Sequence, residues 1–357
     1  LATLMLLGLL AGCGGQPAAS GDKDTVVVYI GDIFNSMTPY MTTANSDQAV
    51  FDQVYETLTV TKDDGTVAPC LAKSWKMSDD CLEYTFQLEE GVKFHNGEVM
   101  TADDVVYSFE QYLANPAKNN FVSMIDKVEM VDANTVKVTL NKITPLFLVY
   151  INELPILNKK FVEEHNGNIS DVACGTGPYK LTSIDLATSA MLERNDDYRL
   201  APAAIEKVEL RYVGDRSTAS VQLETGDLDI MSIDPSQLVS FENNDKFTVE
   251  KVQTLKTALL AINTTVAPLD NKLVRQAMTY AVDKKSIITI AYENCAVPAR
   301  LQASDTNCFG VDFSDATDFS YNPEKAKELL AEAGYPNGLN FADYGIQMDV
   351  LGGTYME

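Results

Sequence analysis

The sequence predicts an α/β fold with mixed sheets and at least two lobes. Strand and helix patterns alternate from Asp24 onward and are separated by short turns. The chain has 357 residues, of which 46% are hydrophobic, so it exceeds one average domain and can bury a sizeable core. It contains strand patterns typical of burial on both faces and strand patterns typical of burial on one face. Both kinds of sheet environment are therefore expected.

The strand patterns are clearest in three places. Residues 26–30 (VVVYI) form a continuous apolar run, which predicts a strand buried on both faces. Residues 84–88 (YTFQL) alternate apolar and polar side chains, so this strand is expected to bury one face. Residues 128–131 and 136–140 flank Asp132-Ala133-Asn134, and this arrangement predicts a hairpin.

Three helices are indicated by the residues at their ends. Thr101 is a predicted N-cap, and Asp104 completes a capping box. Asp270 is predicted to cap a second helix, and Asn322-Pro323 begins a third that ends at Gly334. The apolar residues at helical spacing are Val105, Val106, Phe109, Tyr112 and Leu113 in the first helix, and Leu273, Val274, Ala277, Met278 and Ala281 in the second.

The first residues resemble an export signal. Residues 1–10 are apolar but too few to span a hydrocarbon core, which takes about 20 residues. Leu10-Ala11-Gly12-Cys13 resembles a bacterial lipobox, in which the cysteine is acylated and becomes the mature N-terminus. We therefore expect a partial signal peptide at 1–12, lipidation of Cys13 and a flexible linker at 13–23. The alternative is an ordinary cleaved signal.

The charge balance disfavours nucleic acid as a partner. The chain has 27 basic and 51 acidic residues, a formal net charge of -24. Such a surface repels phosphate backbones and anionic headgroups, and the sequence has no basic cluster to overcome this. Contact with a membrane is therefore expected through the lipid anchor only.

Five cysteines follow the lipobox, and none of them has the C-x-x-C spacing of a zinc or redox site. In an exported protein, Cys70 could pair with Cys81, and Cys295 with Cys308. Free thiols are an equally open alternative for all four residues, and Cys174 has no assigned partner.

The sequence contains no pattern typical of an active site. His95 and His165 are the two histidines, and neither has the spacing of a metal site. There is no nucleophile elbow, no Walker loop and no dinucleotide-binding glycine motif. Gly175-Thr176-Gly177-Pro178 leads into a strand, so we predict a sharp turn at a lobe boundary. We expect no enzyme activity, metal or cofactor, and a binding protein is the simplest interpretation.

Four sequence blocks follow one another with characteristic order and spacing: residues 69–75 (PCLAKSW), 84–88 (YTFQL), 91–97 (GVKFHNG) and 101–109 (TADDVVYSF). They resemble family 5 of the bacterial extracellular solute-binding proteins, the peptide-type substrate-binding components of ABC importers. The resemblance extends over nearly all of the mature chain.

The resemblance implies a two-lobed, type II (cluster C) periplasmic-binding-protein-like fold with an extra inserted domain. Lobe I corresponds to residues 24–56 and 175–264, and the inserted domain to 57–174. Lobe II corresponds to residues 265–357 and is expected to be incomplete, because it is longer in the family. The segment that holds the amino terminus of a peptide ligand is expected to lie in the missing part.

The resemblance also implies a set of ligand-contacting residues. Three of them correspond to a loop along an extended ligand, or alternatively form only a connector before the next helix. One aromatic corresponds to a side chain that reaches the pocket from the inserted domain, or alternatively belongs to the core. Two correspond to the cleft floor, or alternatively continue a strand. The loop residues are Thr43, Ala44 and Asn45, the aromatic residue is Phe121, and the two residues of the cleft floor are Ser232 and Ile233.

The implied function is capture of an oligopeptide or dipeptide between the lobes and its delivery to an ABC permease. The protein is expected to be a monomer, exported to the outer face of the cell membrane or the periplasm. The alternatives are a nickel chelate, a sugar or another small solute as cargo, a ligand-sensing surface lipoprotein, and an exported hydrolase.

Overall fold

The computed structural model describes residues 24–62, 65–252, 257–299, 317 and 319–344. They form two compact units, one up to Ser232 and one from Ile233 onward. The predicted signal peptide, Cys13, the linker and Cys308 lie outside the described residues.

The strands of the described residues all lie in the first unit. Residues 26–30 are a strand with a buried centre, and residues 84–88 bury alternate side chains, as predicted. The strands are β1 (Thr25–Ile30), β2 (Thr59–Thr61), β3 (Val67–Pro69), β4 (Ala72–Met77), β5 (Glu83–Leu88), β6 (Ile125–Asp132), β7 (Thr135–Leu140), β8 (Tyr179–Asp185), β9 (Ser189–Arg194) and β10 (Lys207–Tyr212).

The helices occur in both units and are mostly short. Single 3₁₀ turns at Pro116–Lys118, Ile151–Glu153, Pro235–Gln237 and Phe341–Tyr344 accompany them. The helices are α1 (Asn45–Val54), α2 (Ala102–Ala114), α3 (Asn119–Val122), α4 (Phe147–Tyr150), α5 (Lys159–Glu164), α6 (Arg216–Thr225), α7 (Leu238–Glu242), α8 (Lys272–Ala281), α9 (Lys284–Ala291) and α10 (Pro323–Glu332).

Two four-stranded sheets organise the first unit. One has the order β1-β10-β9-β8, in which β1 and β10 are parallel and the other pairs are antiparallel. The other is antiparallel with the order β4-β5-β7-β6, and it contains the predicted β6–β7 hairpin. The strands β2 and β3 form a separate pair. Mixed sheets are therefore confirmed.

Helix α2 covers the antiparallel sheet. The Asp104 carboxylate accepts hydrogen bonds from the backbone N–H and the hydroxyl of Thr101, both at 2.9 Å, which confirms the predicted cap. Val105, Phe109 and Tyr112 are fully buried. Leu113 is 39% exposed, so its predicted burial is wrong. Adjacent positions on a helix are about 100° apart, and Tyr112 already occupies the core side.

The second unit has its own small core. Ala277, Ala326 and Leu329 bring α8 and α10 together. Asn322 caps α10 through the Lys325 N–H at 2.9 Å, as predicted. The predicted cap of α8 is one residue too early, because the Asn271 side chain accepts from the Leu273 N–H at 2.9 Å. No helix in the described ranges is long and apolar enough to cross a membrane.

Candidate functional site

A cavity of about 780 Å³ opens on the first unit. Segment 35–44 lies on one side of it, the turn at 166–170 on another, and Ala117 contributes between them. Its volume is in the range of known ligand pockets, about 300–1,000 Å³. This cavity is the candidate ligand site.

Asp47 fixes segment 35–44, the first wall of the cavity, through hydrogen bonds to its carboxylate. It is fully buried in the first turn of α1. Its carboxylate accepts hydrogen bonds from the backbone N–H of Asn35 at 2.7 Å, from that of Ser36 at 3.4 Å, and from the Thr42 hydroxyl at 2.7 Å. A carboxylate near a helix N-terminus is also favoured by the helix dipole. One side chain therefore fixes both ends of the segment that lines the cavity.

The second wall is a tight turn joined directly to the first. Asn166 and Gly167 have φ values of 53° and 78°, in the left-handed region that glycine and asparagine tolerate best. The Tyr40 hydroxyl donates to the Gly167 carbonyl at 3.3 Å, and the Met37 N–H donates to the Ser170 carbonyl at 2.8 Å. The two walls thus form one hydrogen-bonded structure.

The three residues predicted to lie along the ligand are close to this cavity. Thr43 is exposed, Ala44 is half-buried, and both line the cavity. Asn45 is exposed as the first residue of α1 but is not part of the lining. Ala44 is the N-cap position of α1 and has extended backbone angles. Two residues of this segment therefore line the cavity in addition to leading into α1. Contact of the segment with a ligand remains a prediction.

Phe121 lies apart from the cavity lining. Its ring in α3 makes an edge-to-face contact with Tyr150, with centroids 6.3 Å apart. The Lys118 ammonium lies 5.6 Å from the Phe121 ring centroid and donates to the Glu153 carbonyl at 3.4 Å. Burial lowers the pKa of Lys118, because removal from water disfavours the charged form. Phe121 is half-buried, so its predicted contact with ligand also remains a prediction.

Ser232 and Ile233 lie on either side of the boundary between the two units. Ser232 is exposed, and its carbonyl accepts a hydrogen bond from Arg216 at 3.3 Å. Two residues earlier, Ile230 forms a parallel bridge with Val28 of β1. Ser232 therefore follows the carboxyl edge of the parallel strands, where open α/β sheets usually bind ligands.

A buried ion pair lies at the end of α1. Glu56 is 8% exposed, and Arg199 donates to its carboxylate at 2.7 Å. The Tyr198 hydroxyl donates to the same oxygen at 3.0 Å. The Cys70 sulfur lies 3.7 Å from Glu56, and burial together with that carboxylate raises the pKa of the thiol to about 12. This cluster stabilises the chain where it leaves α1.

The glycine-rich turn at 175–178 packs directly against the end of α1. A Cβ atom at Gly177 would lie 2.5 Å from the Gln53 carbonyl oxygen, and one at Gly175 would overlap the Val54 carbonyl. His95 joins this turn: its Nε2 donates to the Gly177 carbonyl at 3.0 Å, and its Nδ1 accepts from the Gly175 N–H at 3.3 Å. Burial lowers the pKa of His95 to about 4. The chain bends at residues 176–178 directly before β8, as predicted, and His95 is hydrogen-bonded to this turn. Its place at a lobe boundary remains a prediction.

The cysteines of the described residues are free. Cys70 and Cys81 are partly buried, Cys174 is buried and Cys295 is exposed. Cys70 and Cys81 are therefore unpaired in the structure, while Cys308 lies outside the described residues. Within the described ranges, no group of three or more His, Cys, Asp or Glu side chains could hold a metal ion.

Sequence reasoning missed Asp47 and the turn at 166–170. An acidic residue in the first turn of a helix is a recognisable capping signal, and Asp47 follows Thr42 by five residues. The Asn166-Gly167 pair is equally recognisable as a tight turn. Neither signal indicates that the two segments meet, because 118 residues lie between Asp47 and Asn166.

Comparison with known proteins gives the family of the chain. The profile of "Bacterial extracellular solute-binding proteins, family 5 Middle" matches residues 66–347. Heme-binding protein A of Haemophilus influenzae is 33% identical over 85% of this chain and 60% of its own length. Glutathione-binding protein GsiB of Pectobacterium atrosepticum is 31% identical over 94% of this chain and 66% of its own length. The chain thus spans less than two thirds of these curated relatives.

Solved structures give the same result at the level of the fold. The periplasmic binding protein DppA of Helicobacter pylori, in complex with the peptide STSA, superposes with a TM-score of 0.74 at 29% identity, covering 88% of this chain and 67% of DppA. NikZ of Campylobacter jejuni, in complex with Ni(L-His), has a TM-score of 0.74 at 29% identity, covering 87% and 63%. The predicted periplasmic-binding-protein-like α/β fold is confirmed. The chain belongs to the family 5 bacterial extracellular solute-binding proteins.

Proposed function

We propose that the full-length gene product is the substrate-binding component of an ABC importer and captures peptides. The observation that carries this proposal is the 780 Å³ cavity, which is lined by Thr43 and Ala44 in a chain of the solute-binding family. Relatives in this family have been solved with the peptide STSA, with a nonapeptide and with Met-Leu. Peptide is therefore the best-supported cargo class.

The proposed mechanism is binding without covalent chemistry. An extended peptide presents N–H and C=O groups to the loop at 43–45, and main-chain hydrogen bonds give affinity with little dependence on side chains. Closure of two lobes around the peptide then excludes water, and the closed form docks on the permease. Phe121, Ser232 and Ile233 are proposed as further contacts.

We propose no enzymatic activity for this fold. Both histidines are engaged by backbone groups rather than by a nucleophile. His95 bonds the turn at 175–177, and the Nδ1 of His165 lies 2.7 Å from the Phe161 carbonyl. A general base must instead reach the proton of a hydroxyl or thiol.

The domain division is part of the same proposal. Lobe I comprises residues 24–56 and 175–264, the inserted domain 57–174, and lobe II begins at 265. The sheet topology supports the first two, because β1 pairs with β10 across the intervening residues, while β4 to β7 form a sheet of their own. Because β1 and β10 pair although they are far apart in sequence, the residues between them can form an inserted domain.

We further propose that the protein is an exported, monomeric lipoprotein. Acylation of Cys13 would hold it at the outer face of the cell membrane, and residues 13–23 would serve as the tether. The permease subunits are its proposed protein partners. The net charge of -24 supports an anchor rather than electrostatic contact with anionic lipids.

Calorimetric titration of the full-length gene product with a pool of tri- to pentapeptides tests the cargo. We expect saturable heat, and mass spectrometry of the bound fraction is expected to recover peptides with uncut backbones. Nickel–histidine, heme and glutathione serve as comparison ligands, because relatives are named for them or solved with them. Heat from one of these ligands and none from any peptide would contradict the proposal.

A further inference from the structure

We propose that the cavity between segment 35–44 and the turn at 166–170 holds an uncharged, hydrogen-bonding part of the ligand and discriminates against carboxylate and ammonium groups. This inference rests on the proposed function, because it names the chemistry of one part of the cargo. It goes further in predicting selectivity within the class of peptides.

Most of the residues that line the cavity have polar side chains, and none of them is charged. Nine of its thirteen described residues have amide or hydroxyl side chains, and the other four are Met41, Ala44, Ala117 and Gly167. Charged residues make up 22% of the sequence, so a charge-free lining differs from the rest of the surface. A ligand in this cavity would find both hydrogen-bond donors and hydrogen-bond acceptors, but no charged side chain as a counter-ion.

The carboxylate beneath the lining does not supply such a counter-ion. Asp47 is fully buried, and its two oxygens already accept the hydrogen bonds of Asn35, Ser36 and Thr42. Its charge is therefore used to hold the wall. A ligand ammonium placed in the cavity would have to compete with these donors for it.

Several side chains of the lining are available to a ligand. Thr38 is only 4% exposed, and its hydroxyl has no hydrogen-bond partner among the described residues. The side chains of Asn35, Thr43 and Asn166 likewise have no partner within the part of the chain that the structure describes. Because these polar groups have no partner within the described chain, they can exchange hydrogen bonds to water for hydrogen bonds to a ligand.

The same energetics distinguish neutral from charged ligand groups. A neutral amide or hydroxyl exchanges its hydrogen bonds to water for similar bonds to the lining. A carboxylate or ammonium loses its hydration and finds no opposite charge in return. The net charge of -24 additionally disfavours an anionic group at long range.

The test uses the full-length gene product and tripeptides derived from Ala-Ala-Ala. Gln, Glu or Lys replaces each alanine in turn, and each dissociation constant is measured by calorimetry. In at least one position we expect Gln to bind about ten-fold more tightly than both Glu and Lys. Equal affinities, within about two-fold, at every position would overturn this inference alone. Absence of heat from every tripeptide and from the pool of tri- to pentapeptides would overturn the proposed function with it.

A charge introduced into the lining gives an independent test. Asn166→Asp keeps side-chain size, and Asp tolerates the left-handed backbone at φ 53°. We expect the preference for Lys over Glu to rise about ten-fold at the selective position. Asn294→Asp is the matched control, because Asn294 has φ 63° but belongs to the other unit and does not line this cavity. Unchanged selectivity in a folded Asn166→Asp protein would overturn the inference.

Discussion

At the scale of single residues, two buried carboxylates outside the cavity lining hold the chain at the two ends of α1. Asp47 uses its whole carboxylate to hold the wall at 35–42, and Glu56 uses its carboxylate to bind Arg199 and Tyr198. Such buried carboxylates are stable only because every oxygen has partners. The sequence reveals them as acidic residues at a helix start and a helix end, but it does not reveal their partners.

The chemistry of Cys70 follows from the Glu56 cluster. Burial and the nearby carboxylate raise the pKa of this thiol to about 12, and the thiolate is the reactive form. We expect iodoacetamide at about pH 8 to modify Cys70 at least about 100-fold more slowly than Cys295. Peptide mapping by mass spectrometry at successive times measures both rates.

Cys295 is the internal control, because it is an exposed free thiol of the same chain. Cys174, which is buried and has a pKa raised to about 11, is expected to react as slowly as Cys70. Equal labelling of Cys70 and Cys295 in the folded protein would contradict the proposed environment.

At the scale of elements, sequence patterns predicted most of the strands and caps that were considered. The alternation at 84–88, the hairpin at 132–135 and the cap at Asn322 are all determined by neighbouring residues. The errors concern adjacent residues: Asn271 rather than Asp270 caps α8, and of the neighbouring pair Tyr112 and Leu113 only Tyr112 is buried. Local patterns leave such one-residue choices to tertiary packing.

The contact of the His95 ring with the turn at 175–178 predicts that the stability of the protein depends on pH. His95 has a folded pKa of about 4, below its ordinary value of 6.5, so the unfolded chain binds a proton more readily. The stabilisation is therefore complete above about pH 6.5 and is lost as the pH falls toward about 4.

The variant His95→Gln tests this linkage. Between about pH 7 and pH 4.5, the wild type should lose about 2 kcal/mol of unfolding free energy more than the variant, as measured by urea denaturation. His165→Gln is the control, because the His165 ring is hydrogen-bonded to the Phe161 carbonyl of the adjoining helix α5 and not to the 175–178 turn. A variant with the same pH dependence as the wild type would show that His95 does not titrate on unfolding.

At the scale of the whole molecule, the family could be predicted from sequence while the site could be predicted only in part. The family blocks at 69–109 are local and specific, and the profile match over residues 66–347 agrees with them. Thr43 and Ala44 were predicted by resemblance to lie along the ligand, and both line the cavity. Their contact with a ligand remains a prediction. The turn at 166–170 could not be predicted as the facing wall, since its residues are typical of any exposed turn.

Selectivity, by contrast, follows from what the fold brings together. Each lining residue is unremarkable in sequence, and the absence of charge becomes visible only when segment 35–44 and the turn at 166–170 form one surface. The relatives are named for heme and glutathione or solved with peptides and a nickel complex. Family membership places the chain among solute-binding proteins, and the proposed selectivity rests on the residues that line the cavity.

Hydrogen–deuterium exchange of the full-length gene product, with and without a saturating tripeptide, tests the central claim most directly. The account predicts slower exchange of the amides at 35–44 and 166–170 in the complex, since ligand and closure cover these segments. Amides of the β6–β7 hairpin are expected to remain unchanged and serve as the internal reference. Saturation by peptide without any change at 35–44 and 166–170 would contradict the assignment of this cavity as the ligand site.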